Sequence, residues 1–352
     1  MIDFNINNVF SNTRNSYKYY WWWSIIDICR EKKVIDVHFD EIIIKIISKV
    51  WYPVNYYKLS FGKIDQCSKL VKEIKSKYNL EDNIKEQDLY KFLIQHRDSE
   101  FIIKITNELT RYVPYRFIRP WYSAETRGLK DSIVNSEILK LQNGRAPYII
   151  EPNSKKISIN KEWLQWICSN YTLIKAYTLF KLIRYLEREN PNTVNLSKKL
   201  EKPTTRSLIA PTKYWNKFID YDPNQIDVFE RRPLSSIEDF SLDHFLPWSF
   251  FTHDLLWNLH PVDKKINSSK SNFIPKRKYF HRFYSLQFKF CKFLLDVQND
   301  NALEHYYNLF NCSNDDLQNL SKEKFILEMN KFYMPQYEIA RNMGFEDNWR
   351  LN

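Results

Sequence analysis

The sequence predicts a mainly α-helical protein of two domains. Three observations support this. Through most of the first half, apolar residues recur at the three- and four-residue spacing of helix faces. Only 4 glycines occur in 352 residues, which argues against a turn-dense all-β fold and against glycine-rich phosphate loops. Between about Gln225 and Pro275 the helical period gives way to a strand-like stretch, Phe240–His244, followed by a cluster of polar residues.

In chain order, helices are expected near 17–30 and 40–51, although Ile42–Ile44 fits a strand as well. Ile64, Cys67, Leu70, Val71, Ile74 and Tyr78 share helical spacing, as do Phe101, Ile105, Leu109 and Val113. A hairpin is expected at Ala146–Ile150 and Lys156–Ile159, around the turn residues Pro152-Asn153-Ser154. Asn160 should then cap one long, largely buried helix from Lys161 to Glu189, which Asn190-Pro191-Asn192 ends. From there to Pro211 the prolines Pro191, Pro203 and Pro211 mark a linker. Further on, Phe283, Leu286, Phe290, Leu294 and Val297 make an amphipathic helix, and helices follow near 300–310, 322–333 and 336–343. The expected division is a helical N-terminal domain over 1–200, a module over 201–285 and a helical packing region over 286–352.

The formal charge is +11, which favours a polyanionic partner; an AT-rich coding bias toward lysine is the bland alternative. Placement favours the first reading, since the stretch from Asp254 to Lys292 holds nine basic residues and only two acids, Asp254 and Asp263. Neither G-x-x-x-x-G-K-[ST] nor G-x-G-x-x-G occurs, so a nucleotide-hydrolysing engine is not encoded. The five cysteines are scattered without a C-x-x-C, which suggests neither a zinc knuckle nor a disulfide framework and fits a reducing compartment. The start, MIDFNINNVF, lacks a basic segment before an apolar run, so no secretory signal is expected. Tyr19–Cys29 is apolar but short and interrupted by Asp27, which points to a buried helix, no membrane association and a cytoplasmic protein. The aromatic clusters Tyr19–Trp23 and Arg119-Pro120-Trp121-Tyr122 are more often core than base-stacking platforms.

The segment Ser241 to Pro275 reads SLDHFLPWSFFTHDLLWNLHPVDKKINSSKSNFIP. Its Asp243-His244 pair, its Trp-Asn-Leu around Asn258 and its Asn-Ser-Ser-Lys-Ser from Asn267 resemble the HNH, or ββα-metal, nucleases. In that pattern an Asp-His pair ends a first strand, an Asn precedes a second strand and another Asn lies on the following helix. Asn258 follows His244 by 14 positions, and Asn267 follows Asn258 by 9, intervals that fit. The resemblance covers about Gln225 to Pro275 and is of the style seen in the HNH domains of CRISPR effector nucleases and in phage Holliday-junction resolvases.

It implies an endonuclease in which Asp243 and Asn267 are metal ligands. A carboxylate and an amide carbonyl are hard oxygen donors and favour Mg²⁺ or Mn²⁺. His244, whose ordinary pKa is near neutrality, is the expected general base. Asn258 is expected to tie down the loop 245–257 by bonding backbone groups. Lys270 is open between a phosphate contact and a solvated surface lysine. Lys264, Lys265, Lys276, Arg277 and Lys278 are expected nucleic-acid contacts, whereas His253, His260 and His281 are more ordinary residues than ligands. Asn267 stands where some relatives have a third histidine, and the cysteine pairs that staple many family hairpins with zinc are missing. The hairpin must therefore rest on packing, with Val228, Phe229, Phe240 and Trp257 as candidates. DNA is the expected substrate and restriction or antiphage defence the expected setting. An RNase of the same fold and a silent nucleic-acid-binding subunit are the alternatives. The N-terminal region is expected to target or restrain the module through a partner protein or signal.

Overall fold

The computed structural model describes residues 6–11, 13–202 and 207–351, and it is mainly α-helical with two small sheets. It divides into two compact units. One comprises 1–191 with 199–201, and the other 192–198 with 202–352. The residues that the second half of the sequence gathers around Asp243 are therefore in one unit with all of the C-terminal helices. Of the expected linker, 192–198 belongs to that second unit, while Pro203 lies outside the described residues.

In the first unit, helices α1 (Tyr17–Lys32) and α2 (Phe39–Trp51) form the centre. Tyr20, Trp21 and Trp22 of α1 are fully buried, so the first aromatic cluster is core. The isoleucines 42–44 lie within α2, not in a strand. Helices α3 (Cys67–Tyr78), α4 (Glu86–Gln95) and α5 (Glu100–Thr110) follow, and Ile64 is exposed ahead of α3. The expected hairpin is present as β2 (Tyr148–Glu151) and β3 (Lys156–Ile159), but β1 (Asp36–His38) joins it. The sheet is antiparallel in the order β1-β3-β2, with Asp36 opposite Ser158 and Tyr148 opposite Ile159. Trp21 donates to the Tyr148 hydroxyl at 2.9 Å, which donates in turn to the Pro114 carbonyl, tying sheet to helix.

The single helix expected over Lys161–Glu189 is two, α6 (Lys161–Ser169) and α7 (Tyr171–Glu189). The cause is Asn170: its φ of −117° leaves the helical region and its side chain bonds back to the Trp166 carbonyl. Asn160 caps α6 by accepting from the Glu162 amide at 2.9 Å. Helix α7 buries only one stripe, with Leu173 and Phe180 exposed, so the expectation of burial on most faces was too generous.

The second unit is built on helices α8 (Ile209–Tyr221), α9 (Lys264–Lys270), α10 (Phe280–Asp296), α11 (Asp300–Phe310) and α12 (Lys322–Asn342), with an antiparallel hairpin of β4 (Phe240–His244) and β5 (Leu259–Asp263). The last two expected helices are one, running through Pro335. A proline inside a helix loses a hydrogen bond and crowds the preceding turn. Here Phe325, Met329, Tyr333 and Tyr337 bury an unbroken i, i+4 stripe across it, and that packing overrides the local signal. Trp215 of α8 stacks on Phe290 of α10 with centroids 3.8 Å apart, and Phe245 just beyond β4 stacks on Phe283 at 3.9 Å. The hairpin thus rests on aromatic packing, in which Val228, Phe229 and Trp257 are buried and Phe240 partly so.

Among the described residues no helix is long and apolar enough to cross a membrane, and all five cysteines are unpaired. Residues 192–198 also contribute to the second unit. The Asn195 amide donates to the Phe251 carbonyl at 2.9 Å, and Val194 packs on the core. A fragment beginning at Asn192 should therefore be more stable than one beginning at Ser207 by about 1–2 kcal/mol, the worth of one hydrogen bond and a partly buried valine. Equilibrium urea unfolding of the two fragments checks this; equal midpoints would count against it.

Candidate active site in the second unit

The site is assembled from the end of β4. Its register sets Asp243 opposite His260 and His244 opposite Leu259. Side chains of neighbouring strand residues point to opposite faces, so Asp243 and His244 meet different surroundings. Helix α9 follows β5 directly because Asp263 serves as its cap, accepting from the Lys265 amide at 2.7 Å. The other Asp263 oxygen receives Arg232 at 2.9 Å, and the Lys265 amide and Arg232 hold the carboxyl below its ordinary range. The helix returns across β4 and brings Asn267 and Lys270 to it.

Asp243 is nearly inaccessible and Lys270 wholly so. The Lys270 ammonium lies 2.9 Å from Asp243 Oδ2 and 3.1 Å from Oδ1, and it donates to the His244 carbonyl at 2.7 Å. His260 Nε2 is 3.4 Å from Asp243 Oδ2. Burial alone would raise the Asp243 carboxyl, but Lys270 and His260 outweigh it and hold it below the usual carboxylate range. Lys270 is thus no solvated surface lysine, and in this arrangement its ammonium addresses Asp243 and His244 rather than the exterior, where a phosphate contact would have to lie.

The His244 ring is buried and its Nε2 pairs with Asp254 Oδ1 at 2.8 Å. With Nε2–H donated to a carboxylate, Nδ1 is the basic nitrogen of the ring. Asn258 is fully buried and acts on the backbone. Its carbonyl oxygen accepts from the Leu246 amide at 3.0 Å, and its amide donates to the Leu246 carbonyl at 2.9 Å. Tyr333 of α12 donates to Asn258 and to the Trp257 carbonyl. Asn267, half-buried, donates to Ser241 Oγ at 2.8 Å and toward the Leu242 carbonyl, so its amide nitrogen faces β4.

The structure therefore brings Asp243, His244 and Lys270 together at the end of β4, with Asn267 bonded to the same strand and Asn258 bracing the loop behind them. The expected nucleic-acid contacts are more dispersed. Lys264 pairs with Asp239 at 2.5 Å, Arg277 pairs with Glu338 and lies over the Tyr337 ring, and Lys278 lies over Tyr279. Lys265 is exposed and Lys276 half-buried. Two further residues lie against these side chains: His260, expected from the sequence to be an ordinary histidine, and Asp254, given no role there. His260 has a legible signal, since it stands directly across the hairpin from Asp243 once the register is drawn. Asp254 has none, because only the path of the loop brings it to His244. His253 stacks on Phe251, and burial together with nearby His244 pulls it down to about 4, so it is neutral at ordinary pH. His281 is exposed on α10.

A magnesium-type ion would draw on the Asp243 carboxylate and the Asn267 carbonyl as its oxygen donors. Asp243 Oδ2 is buried without an aligned hydrogen bond, and the Lys270 ammonium, 2.9 Å away, would have to share that carboxylate with the ion or yield it. Among the described residues no group of three or more His, Cys, Asp or Glu is suited to a metal, so a closed zinc cage does not fit.

Removing Lys270's charge would strand a buried carboxylate. Lys270→Met, measured without divalent metal, should destabilise the second unit by about 3–5 kcal/mol near neutral pH. Because the folded Asp243 pKa lies below its unfolded value of about 3.9, the stabilisation is fully present above that value. It is lost as pH falls through it toward the folded pKa, so the gap between wild type and variant should narrow in acid. Urea unfolding at a series of pH values reads both effects; a pH-independent gap would exclude the ion pair as its cause.

Residues 227–276 match the HNH endonuclease family. No curated protein and no solved structure matches the chain. The matched stretch spans β4, β5 and α9 with the turn before them, and it contains Asp243, His244 and Asn267. This part of the second unit is a ββα module of the HNH endonuclease family.

Proposed function

We propose that the protein is a metal-dependent endonuclease that hydrolyses DNA phosphodiester bonds to leave 5′-phosphate ends, in restriction or antiphage defence. The observation that carries the reading is that Asp243 and His244 end β4 while Asn267 of α9 bonds to the same strand, all within the HNH stretch. In this reading the Asp243 carboxylate and the Asn267 carbonyl hold Mg²⁺ or Mn²⁺. The bound ion supplies charge stabilisation to the scissile phosphate and the leaving 3′-oxygen.

The remaining work falls to the chain itself. His244 takes a proton from the attacking water at Nδ1, while Asp254 on Nε2 orients the ring and stabilises its charged form. Asn258 keeps the loop 245–257 closed so that Asp254 stays in reach. Lys270 positions Asp243 and limits its repulsion of an incoming phosphate. Lys265, Lys276, Arg277 and Lys278 would steer the polyanion, since phosphate contacts position a strand without specifying its sequence. A module that reads little sequence needs restraint. The first unit is proposed to supply it, through a partner protein, a signal or a DNA structure.

His244→Ala should lower plasmid cleavage by roughly 10²-fold or more, and Asp254→Asn by about tenfold or more, each with unchanged DNA binding. Asp243→Ala should abolish cleavage. Mg²⁺ or Mn²⁺ should support activity better than Zn²⁺, and EDTA should end it. A time course on plasmid DNA and on RNA decides the substrate. Undiminished cleavage by His244→Ala would remove it from the mechanism, cleavage of RNA alone would redirect the reading, and binding without cutting would make the chain a silent subunit.

A further inference from the structure

A cleft of about 240 Å³ opens in the second unit between the turn at 225–233 and the first turns of α10, apart from the Asp243 site. Arg231 reaches it from the turn, and His281, Arg282, Ser285 and Lys289 from the helix. His281, Ser285 and Lys289 follow at i, i+4 and i+8 and so share one face, with Arg282 beside them.

Among the described residues none of the four basic side chains forms an ion pair, in contrast to neighbouring Arg232, which is committed to Glu230 and Asp263. The cleft's only acid is Asp227, and its charge is spent. It is nearly inaccessible and accepts from the backbone amides of Phe229 at 2.7 Å, Glu230 at 3.0 Å and Arg232 at 3.3 Å. Those bonds, with the Asp227 amide on the Arg232 carbonyl at 2.9 Å, hold Arg231 in the left-handed region at φ 66°. That conformation is costly for a residue with a side chain and persists where its surroundings impose it. Here it presents a guanidinium to the cleft opposite a lysine and a second guanidinium. Basic side chains around one cleft that no carboxylate neutralises, with Arg282 donating to the Val228 carbonyl and resting over the Tyr279 ring, are the chemistry of an anion site.

We propose that this cleft binds a backbone phosphate of a nucleic-acid strand, as an anchor separate from the cutting site. Arg231 and Arg282 supply planar N–H forks, and Lys289 a third charge. The same turn packs Phe229 on His260, the residue across the hairpin from Asp243, so an anchored strand bears on the element that supports the site. The choice of nucleic acid as the ligand rests on the nuclease reading; the anion site itself does not.

The test uses the full chain in EDTA, with a fluorescently labelled DNA duplex titrated over a series of NaCl concentrations. The double variant Arg231→Gln, Lys289→Gln is compared with a charge-matched control, Lys322→Gln, Lys324→Gln. All four side chains are exposed, and unchanged melting temperatures confirm folding. Each phosphate contact contributes about 0.9 to the slope of log affinity against log salt, so the cleft variant should lose about 1 from that slope and bind several-fold more weakly, with the control close to wild type. A cleft variant that matches the control in slope and affinity overturns the proposal, and if wild type still cuts plasmid, the nuclease reading stands without it. Weakened binding by the cleft variant of a chain that does not cut would support the anchor and count against the nuclease. A wild type that binds neither DNA nor RNA overturns the nucleic-acid ligand.

Discussion

A carboxylate withdrawn from water must be met by a cation, and the pairing of Asp243 with Lys270 is the interaction around which the second unit is arranged. Lys270 ends α9 and Asp243 nearly ends β4, so one buried ion pair clamps a seven-residue helix to a two-stranded hairpin. Neither element would hold its place alone: a helix of that length is marginal in water, as is an isolated hairpin. Once the clamp is set, Asn267 lies one turn back on the same helix, tied to Ser241 and Leu242. The residue after Asp243 on the strand is then bound to be His244, on the other face and in reach of Asp254.

The support for that clamp is aromatic and helical. Phe283 stacks on Phe245 where the chain leaves β4, and Phe229 and Phe283 flank His260. Polar side chains from the later helices finish the loops. Gln287 of α10 donates to the Leu259 carbonyl at 2.7 Å, Tyr306 of α11 donates to Gln287, and Tyr333 of α12 donates to Trp257 and Asn258. The Leu256, Trp257 and Leu259 carbonyls at the foot of β5 thus have partners from helices that come later in the chain, which explains why these helices and the module form one unit.

Much of this arrangement was legible in the sequence, and the parts that were not share a physical cause. Phe240–His244 announces itself by alternation, and Asp243, His244, Asn258 and Asn267 by their intervals, because the ββα geometry is local in sequence. What escaped depends on contacts between distant residues. The burial of Lys270 cannot be inferred from a lysine in Asn-Ser-Ser-Lys-Ser; it follows from the carboxylate 27 positions earlier. Asp254 gains its meaning from a loop, and β1 from pairing with a strand some 120 positions later. At Asn170 and Pro335 local propensity and tertiary packing compete with opposite outcomes. Asn170 can bond its own backbone and ends a helix, whereas Pro335 lies in a helix whose buried stripe continues past it.

The segment after α12 returns to the module. The Ile274 amide donates to the Glu346 carbonyl at 2.8 Å, Pro275 bridges Trp349, and the Trp349 indole donates to Ser269 on α9 at 3.2 Å. Trp349 also packs edge-on against Phe229. Chains are synthesised from the amino end and domains fold as they emerge. The hairpin and α9 are therefore made well before Tyr333, Glu346 and Trp349 exist to hold them. On the ribosome the Asp243 cluster remains without its outer brace until translation has passed Trp349, so a nascent or prematurely ended chain carries the residues of the site without a finished frame around them.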